Sequence, residues 1–416
     1  MIKYDKFTLS NGLKVIVHHD EATPLACVNI LYDVGARDED ESKTGFAHLF
    51  EHLMFGGSIN IPSYDEPLQR VGGENNAFTT NDITNYYLTL PAENLETAMW
   101  LESDRLLSLA FSEKSLEVQR SVVIEEFKQR YLNQPYGDVW LLLRPLAYKV
   151  HPYKWSTIGK EISHIEDAVM EDVKAFFKKH YCPENAILVV AGNITTEQVK
   201  ILSEKWFGPI PGGNKTVRNL PVEPKQIEYR QMAVERDVPF DSLTMTFHMC
   251  DRREKDYHVL DLISDVLSRG NSSRLYNRLV KEERLFSEIS AFVMGDMDKG
   301  LFVFSGKVSP GISIMKAEES VFVEINKLSE ELISDRELNK VKNKVESSLM
   351  FAEMSILDKS MNLAYFELIG DSELINTEVN RYLAVTPADI KRVSKEVFTK
   401  ENCSSLHYLS NRKNEK

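Results

Sequence analysis

The sequence predicts an α+β protein of two homologous domains, each a mostly antiparallel sheet with helices packed on one face. Residues 172–185 and 389–402 match at a constant offset of 217, and each segment has the pattern of a helix leading into a strand. Residues 209–225 are rich in proline and glycine, as expected of a linker. In each half, strands and helices lead to a hairpin-like strand pair, several long helices and a last strand, an order typical of α+β folds.

The repeat and the linker set the expected domain bounds. We predict an N-terminal domain at 1–213, a linker at 214–226 and a C-terminal domain at 227–416. With 43% hydrophobic and 27% charged residues, a chain of 416 residues is long enough for two domains with large cores.

The first half contains two recognisable strand pairs. Asn11-Gly12 lies between alternating apolar and polar residues, a pattern that predicts a hairpin. Asn76, Ala77, Phe78 and Thr79 have the pattern of an edge strand, and the alternation continues in a neighbouring strand at residues 84–90.

Two histidines with a glutamate between them indicate a metal site on a helix. His48 and His52 are four residues apart, so a helix puts both imidazoles on one face, where both can reach one ion. Glu51 lies beside them and is free to accept a proton from water, as the glutamate of zinc hydrolases does.

The residues around this pair permit a helix. Thr44 or Ser42 is placed to cap its first turn, and Gly56-Gly57 follows where the helix is expected to end. We therefore expect a short helix with a side-chain cap at its start.

A zinc hydrolase needs a third protein ligand and an open position for water. Residues 115–131 have the composition of a strong helix and supply the best candidate. On this helix Gln119 and Glu126 fall on one stripe, whereas Glu125 is turned about 100° away. Glu126 is the predicted third ligand, and we expect one zinc ion per chain.

Four segments of the chain together resemble a known family. They are HLFEHLMFGG (48–57), GGENNAFTTNDITNYYLTLP (72–91), RSVVIEEFKQR (120–130) and VVAGNITTEQV (189–199). In this order they are similar to the pitrilysin, insulinase and mitochondrial processing peptidase family of inverted HxxEH zinc peptidases. The resemblance covers essentially all 416 residues and is strongest to the catalytic subunit of the short bacterial two-subunit members.

The resemblance implies a function and a set of roles. His48, His52 and Glu126 match the zinc ligands of the family, and Glu51 matches the general base. The implied protein is a zinc metalloendopeptidase with a half-clamshell fold that hydrolyses peptides or small unstructured polypeptides in an enclosed chamber. An edge strand beside a metal site is suited to binding a peptide as an added strand, and the resemblance assigns this role to Asn76, Ala77 and Phe78.

The chain departs from the family pattern at two places. Gln119 stands where the family usually has a second glutamate, seven residues before the ligand, which leaves the surroundings of the metal less negative. In the second half, members that complete the site alone usually carry an Arg and a Tyr seven residues apart. Val280 and Ser287 occupy those positions here, and neither offers a cation or a phenol to an oxyanion.

This second departure predicts a partner. We expect a companion subunit of the same family that supplies the Arg and Tyr in a heterodimer. The alternative is a homodimer in which Arg284 or Lys281 orients the peptide.

Composition narrows the possible partners and the cellular location. A net charge of −13 argues against nucleic acid or an anionic membrane as a partner. Four scattered cysteines without a CxxC motif are expected to be reduced thiols, which suits a cytoplasmic protein. The start of the chain has no signal-peptide pattern, and no apolar run reaches transmembrane length.

Two other functions fit parts of the pattern. Similar folds serve as non-catalytic scaffold subunits, but a scaffold has no physical reason to keep His48, Glu51, His52 and Glu126 together. A zinc hydrolase of unrelated fold would lack the internal repeat.

Overall fold

The computed structural model describes residues 1–412, which form two β-sheets surrounded by helices. The strands are β1 (Asp5–Thr8), β2 (Lys14–His19), β3 (Leu25–Tyr32), β4 (Glu74–Thr79), β5 (Thr84–Pro91), β6 (Ala186–Gly192), β7 (Arg230–Arg236), β8 (Ser242–His248), β9 (Phe286–Met294), β10 (Leu301–Val308) and β11 (Cys403–Ser410).

The helices lie mainly between β5 and β6 and between β10 and β11. They are α1 (Phe46–Leu53), α2 (Asp65–Arg70), α3 (Leu95–Leu107), α4 (Glu113–Phe127), α5 (Val139–Ala147), α6 (Ser163–Glu166), α7 (Met170–His180), α8 (Thr196–Trp206), α9 (Asp256–Ser268), α10 (Ile314–Glu330), α11 (Asp335–Ala352), α12 (Ile356–Ile369), α13 (Leu374–Leu383) and α14 (Pro387–Val397).

The chain divides into two compact units, neither of which is one continuous stretch. The first unit comprises Met1–Lys128, Trp155–Leu220 and Leu349–Thr377. The second comprises Gln129–Lys154, Pro221–Ser348 and the described chain from Glu378 onward. The bounds at 213 and 227 follow the sequence repeat and stay a prediction, since the units are defined by contacts in space.

The first sheet has the strand order β1-β2-β6-β3-β5-β4, and only its β2 and β6 run parallel. The predicted hairpin is confirmed, because β1 and β2 pair antiparallel around Gly12, whose φ is 89°. β6 lies inside the sheet and is buried along its whole length, as its continuous apolar run requires. β4 forms one edge, and its residues alternate between exposed and half-buried.

The second sheet repeats the first without its outermost strand. Its order is β7-β11-β8-β10-β9, and the parallel pair is β7 with β11. Thus β7, β11, β8, β10 and β9 correspond to β2, β6, β3, β5 and β4. The predicted α+β class of two mostly antiparallel sheets is confirmed.

One pair of asparagines displays the duplication at the level of single hydrogen bonds. Asn185 Nδ2 donates to the carbonyl of His180 at 2.9 Å and to that of Asp33 at 3.0 Å. Asn402 Nδ2 makes the equivalent bonds to Val397 at 2.8 Å and His248 at 2.9 Å. Each side chain ties the end of a helix to the end of a central strand.

Each sheet also receives one helix from the other half of the sequence. In the first unit, Leu363 and Ala364 of α12 pack against Ile16, Leu31 and Val189 of the sheet. In the second unit, α5 packs on β7, β8 and β11.

The first sheet carries helices on both of its faces. Ile30 and Tyr86 are opposite one another in register, and they face away from Leu31 and therefore from α12. The Tyr86 ring contacts the Arg105 guanidinium of α3, 4.4 Å from the ring centre. Helices of the same half therefore cover one face, and the exchanged helix covers the other.

Two further properties concern membrane-spanning helices and disulfides. Among residues 1–412, no helix combines the length and apolar character needed to cross a lipid bilayer. All four cysteines are free thiols, and Cys27, Cys182 and Cys403 are buried while Cys250 is half-buried.

Candidate metal centre

Helix α1 forms where predicted and presents three site residues on one side. Its opposite side is apolar, and Phe50 packs against the rings of Phe176 and Tyr181 at centroid distances of 5.0 and 5.1 Å. Complete burial of a side chain such as Phe50 contributes about 1.5–3 kcal/mol. The helix is therefore held by its core face, which leaves His48 and His52 half-buried on the other.

Helix α4 brings the third residue. Ser112 caps it, because Ser112 Oγ accepts from the Ser115 N–H at 3.0 Å. Gly56, just after α1, lies close to Ser115 in the first turn of α4. A π-helical turn follows at Lys128–Leu132, and such turns are frequent at functional sites.

The three predicted ligands meet at one point. Glu126 Oε2 lies 3.6 Å from His48 Nε2 and 3.5 Å from His52 Nε2. The imidazole rings are 4.9 Å apart and nearly perpendicular, at 85°. One donor atom from each residue lies within 4.8 Å of the others, and this is the only such group of three found among residues 1–412.

The donor set fits zinc. Two imidazole nitrogens and one carboxylate oxygen are a ligand combination of catalytic zinc sites, which use three protein ligands and keep a fourth position open. The side chains of His48, His52 and Glu126 are 13%, 26% and 16% exposed, so the group is sheltered yet accessible. Their role as ligands remains a prediction that this geometry supports.

Neighbouring residues on α4 behave differently. Glu125 is exposed and pairs with Lys128, its Oε1 lying 2.9 Å from Lys128 Nζ. Gln119 is half-buried two turns before Glu126.

Thr79 is a site residue that the sequence analysis missed. Its Oγ1 donates to Glu51 Oε2 at 2.6 Å, which holds the carboxylate of the expected base. Thr79 is the last residue of β4 and of the predicted edge strand, directly after the predicted substrate-binding residues. A hydroxyl at the end of this strand is the only sign of the role in the sequence. The sequence does not show how β4 lies beside α1, and this placement brings the hydroxyl to Glu51.

We expect Thr79→Val to lower kcat roughly tenfold with little change in KM, because it removes one hydrogen bond to a charged group. Thr79→Ser keeps the hydroxyl and is expected to retain most activity. Steady-state kinetics of the chain together with the predicted companion subunit, on an unstructured peptide, checks this, and equal kcat for Thr79→Val and the parent would contradict the assignment.

The predicted substrate-binding residues lie on the sheet edge beside Glu51. Within residues 1–412, β4 pairs with β5 on one side and has no strand on the other. The Ala77 N–H donates to Asn76 Oδ1 at 2.8 Å, and the Phe78 side chain is 37% exposed. The position suits strand addition, and the binding role itself stays a prediction.

Two buried phenols lie close to Glu51. The hydroxyls of Tyr86 and Tyr181 are 3.3 Å apart. Burial raises the pKa of both groups well above its ordinary value, and the charge of Glu51 raises it further. Both phenols therefore remain neutral around the carboxylate.

The second unit has no equivalent of this site among its described residues. His258 is buried and its Nε2 lies 2.9 Å from Glu378 Oε1, while His248 stacks on Tyr148 at 5.1 Å. Val280 is half-buried in a π-helical turn, Tyr276–Glu282. Ser287 is on edge strand β9, and its Oγ donates to the Lys307 carbonyl at 3.3 Å.

Comparisons with known proteins agree with the fold. The family model described as insulinase (peptidase family M16) matches residues 14–158, and that of the peptidase M16 inactive domain matches 167–345. The zinc protease PqqE of Helicobacter pylori is 30% identical over 413 residues, covering 98% of this chain and 93% of that protein. A probable mitochondrial-processing peptidase subunit beta of Arabidopsis thaliana is 25% identical over 359 residues, covering 82% of this chain and 66% of that protein.

A solved structure has the same fold. The crystal structure of a protease from Helicobacter pylori aligns with a TM-score of 0.92 at 29% identity, covering 98% of this chain and 100% of that one. The fold and the matches thus define a class whose relatives are named zinc proteases and processing peptidases. The chain belongs to the insulinase family, peptidase family M16.

Proposed function

We propose that the chain is a zinc metalloendopeptidase that hydrolyses peptides or small unstructured polypeptides as the catalytic subunit of a dimer. One arrangement carries the proposal: the donors of His48, His52 and Glu126 converge within 4.8 Å, and Thr79 holds Glu51 beside them. Chelating the chain purified together with its companion subunit and then restoring zinc tests it, since cleavage of an unstructured peptide should disappear and return.

Each residue has a defined part in the proposed reaction. His48, His52 and Glu126 would hold the metal. When bound, the metal would polarise a carbonyl oxygen and lower the pKa of a water molecule to about 7. Glu51 accepts the proton of the attacking water and then delivers it to the leaving amine. Thr79 keeps the Glu51 carboxylate in one orientation during both transfers.

The edge strand is proposed to bind the substrate. A peptide that pairs with β4 gains main-chain hydrogen bonds that do not depend on its side chains. Because β4 ends at Thr79, such a peptide lies next to Glu51. Asn76 Oδ1 covers the Ala77 N–H, so an added strand has to displace this amide. The enclosed chamber implied by the family resemblance belongs to the same proposal.

A scaffold function is the less favoured alternative. The family model named for an inactive domain matches 167–345, a range that contains none of the four site residues. The proposed catalytic role rests on residues between 48 and 126, within the part matched by the insulinase model.

The companion subunit is also a proposal. Val280 and Ser287 stand where the family's substrate-anchoring Arg and Tyr are expected, so we infer that another subunit supplies these groups. The expected loss without it resembles that of one oxyanion donor, roughly 3–4 kcal/mol.

We therefore expect the zinc-loaded chain alone to be nearly inactive on unstructured peptides and to gain activity with a co-expressed companion of the same family. Peptide cleavage by each subunit alone and by the pair measures this. Full activity of the lone chain would contradict the heterodimer.

A homodimer makes a different prediction. Arg284 is exposed and has a φ of 54°, which is uncommon outside glycine. If the lone chain is active, Arg284→Ala or Lys281→Ala should reduce its activity, because one of these cations then orients the peptide.

A further inference from the structure

Helix α1 begins without a side-chain cap of the expected kind. Its N-cap residue is Gly45, with φ 88° and ψ 3°, and a Cβ there would lie 2.7 Å from the Ile158 carbonyl oxygen. The predicted cap by Thr44 or Ser42 is wrong. Thr44 Oγ1 instead accepts from the Lys160 N–H at 2.7 Å, and Ser42 Oγ donates to Asp40 at 2.5 Å.

A carboxylate from upstream satisfies the first turn instead. Glu39 Oε2 accepts from the Gly45 N–H at 2.9 Å, and Glu39 Oε1 accepts from the Ala47 N–H at 2.8 Å. The first N–H groups of a helix have no partner within the helix, so this carboxylate replaces the missing cap. Ala47 immediately precedes His48, and the bond therefore acts on the turn that carries the first predicted ligand.

Burial of the Glu39 carboxyl group costs free energy. It is 8% exposed, and within residues 1–412 it forms no ion pair with Lys, Arg or His. Burial raises the pKa of Glu39 to about 8, while the N–H groups of Ala47 and Gly45 act in the opposite direction. The positive end of the α1 dipole also favours an anion at this point.

The turn that carries Glu39 is itself fixed. Trp155 Nε1 donates to the Ala36 carbonyl at 2.9 Å. Asp38 Oδ2 accepts from the Gly35 N–H at 3.1 Å, and Asp38 Oδ1 accepts from Arg218 Nε at 2.6 Å. These hydrogen bonds fix the backbone around Glu39. Because Glu39 has a fixed position, its hydrogen bonds to α1 also fix the position of the first turn of that helix.

We propose that Glu39 is a positioning residue that fixes the first turn of α1, so that His48 and His52 are aligned with Glu126 before a metal ion binds. The inference deepens the proposed function and rests on it. A ligand set that is already aligned spends less binding free energy on ordering, so loss of the cap should weaken metal binding.

Glu39→Gln tests the inference, with Asp40→Asn as the matched control. Asp40 is the adjacent acid and is exposed, and its side chain accepts hydrogen bonds from Ser42 in its own turn. We expect Glu39→Gln to weaken Zn²⁺ affinity roughly 10–100-fold in a competition titration with a chromophoric chelator. It should also change the visible spectrum of the Co²⁺-loaded protein, whereas Asp40→Asn changes neither.

Thermal unfolding separates positioning from simple loss of stability. A merely structural cap would lower the Tm of the metal-free and zinc-loaded forms equally, whereas a positioning residue also reduces the zinc-induced rise in Tm. Glu39→Asp, which keeps the carboxyl group but shortens the reach, is the second variant if Glu39→Gln does not fold. It should weaken Zn²⁺ affinity to a smaller extent.

The outcomes distinguish this inference from the proposed function. Unchanged Zn²⁺ affinity and Co²⁺ spectrum in the Glu39 variants would overturn the positioning role. If the parent chain binds zinc at this site but cleaves no peptide, with or without a companion, the peptidase proposal is overturned. The effect of the Glu39 variants on Zn²⁺ affinity can still be measured in that case. A parent chain that binds no zinc would overturn both.

Discussion

Glu51→Gln is expected to retain one zinc ion per chain and to lose peptide hydrolysis by at least roughly 10²–10⁴-fold. Glutamine keeps the size of the side chain and its hydrogen bond from Thr79 but cannot accept the proton of the attacking water. The three predicted ligands are unchanged, so metal binding should persist. Metal analysis and peptide cleavage on the same preparation of the chain with its companion subunit measure the two effects separately.

Two results would contradict this role of Glu51. A Glu51→Gln protein without zinc would indicate that Glu51 contributes to metal binding. A variant as active as the parent would show that another group accepts the proton.

Glu126→Ala is expected to lose far more zinc affinity than Glu125→Ala. Removal of Glu126 leaves only two histidines, and the loss should exceed the roughly 10–100-fold typical of residues that merely support a ligand. Glu125 is its ideal control, because it is the next residue of the same helix and pairs with Lys128 instead. Zinc titration of both variants makes the comparison.

The reverse order of the two affinities would mean that the other face of α4 carries the ligand. Equal, unchanged affinities would remove α4 from the metal site altogether. Both results would be at odds with the 3.5 and 3.6 Å approach of Glu126 to the two histidines.

Local pattern predicted the parts of this protein that depend on short spacing. The histidine pair required only helical periodicity, and the choice of Glu126 over Glu125 required only the angle between neighbouring residues. The matching segments at 172–185 and 389–402 predicted the duplication that the two sheets display. Each of these inferences uses residues that are close in the chain or identical in pattern.

Features that depend on distant contacts could not be predicted in this way. Helices α5 and α12 each pack on the sheet formed by the other half of the sequence. The sequence of a helix shows which of its faces is apolar but does not show which sheet that face packs on. The cap of α1 was assigned to the nearest hydroxyls, but Glu39 reaches the same N–H groups through a folded turn. Thr79 was missed because its contact with Glu51 depends on how β4 lies beside α1.

Anomalous X-ray diffraction at the zinc absorption edge tests the central claim most directly. Crystals of the zinc-loaded chain should contain one strong anomalous peak per chain, within bonding distance of His48, His52 and Glu126, with Glu51 outside the ligand set. A peak at other residues, or no peak in protein that retains zinc by metal analysis, would contradict the proposed metal centre.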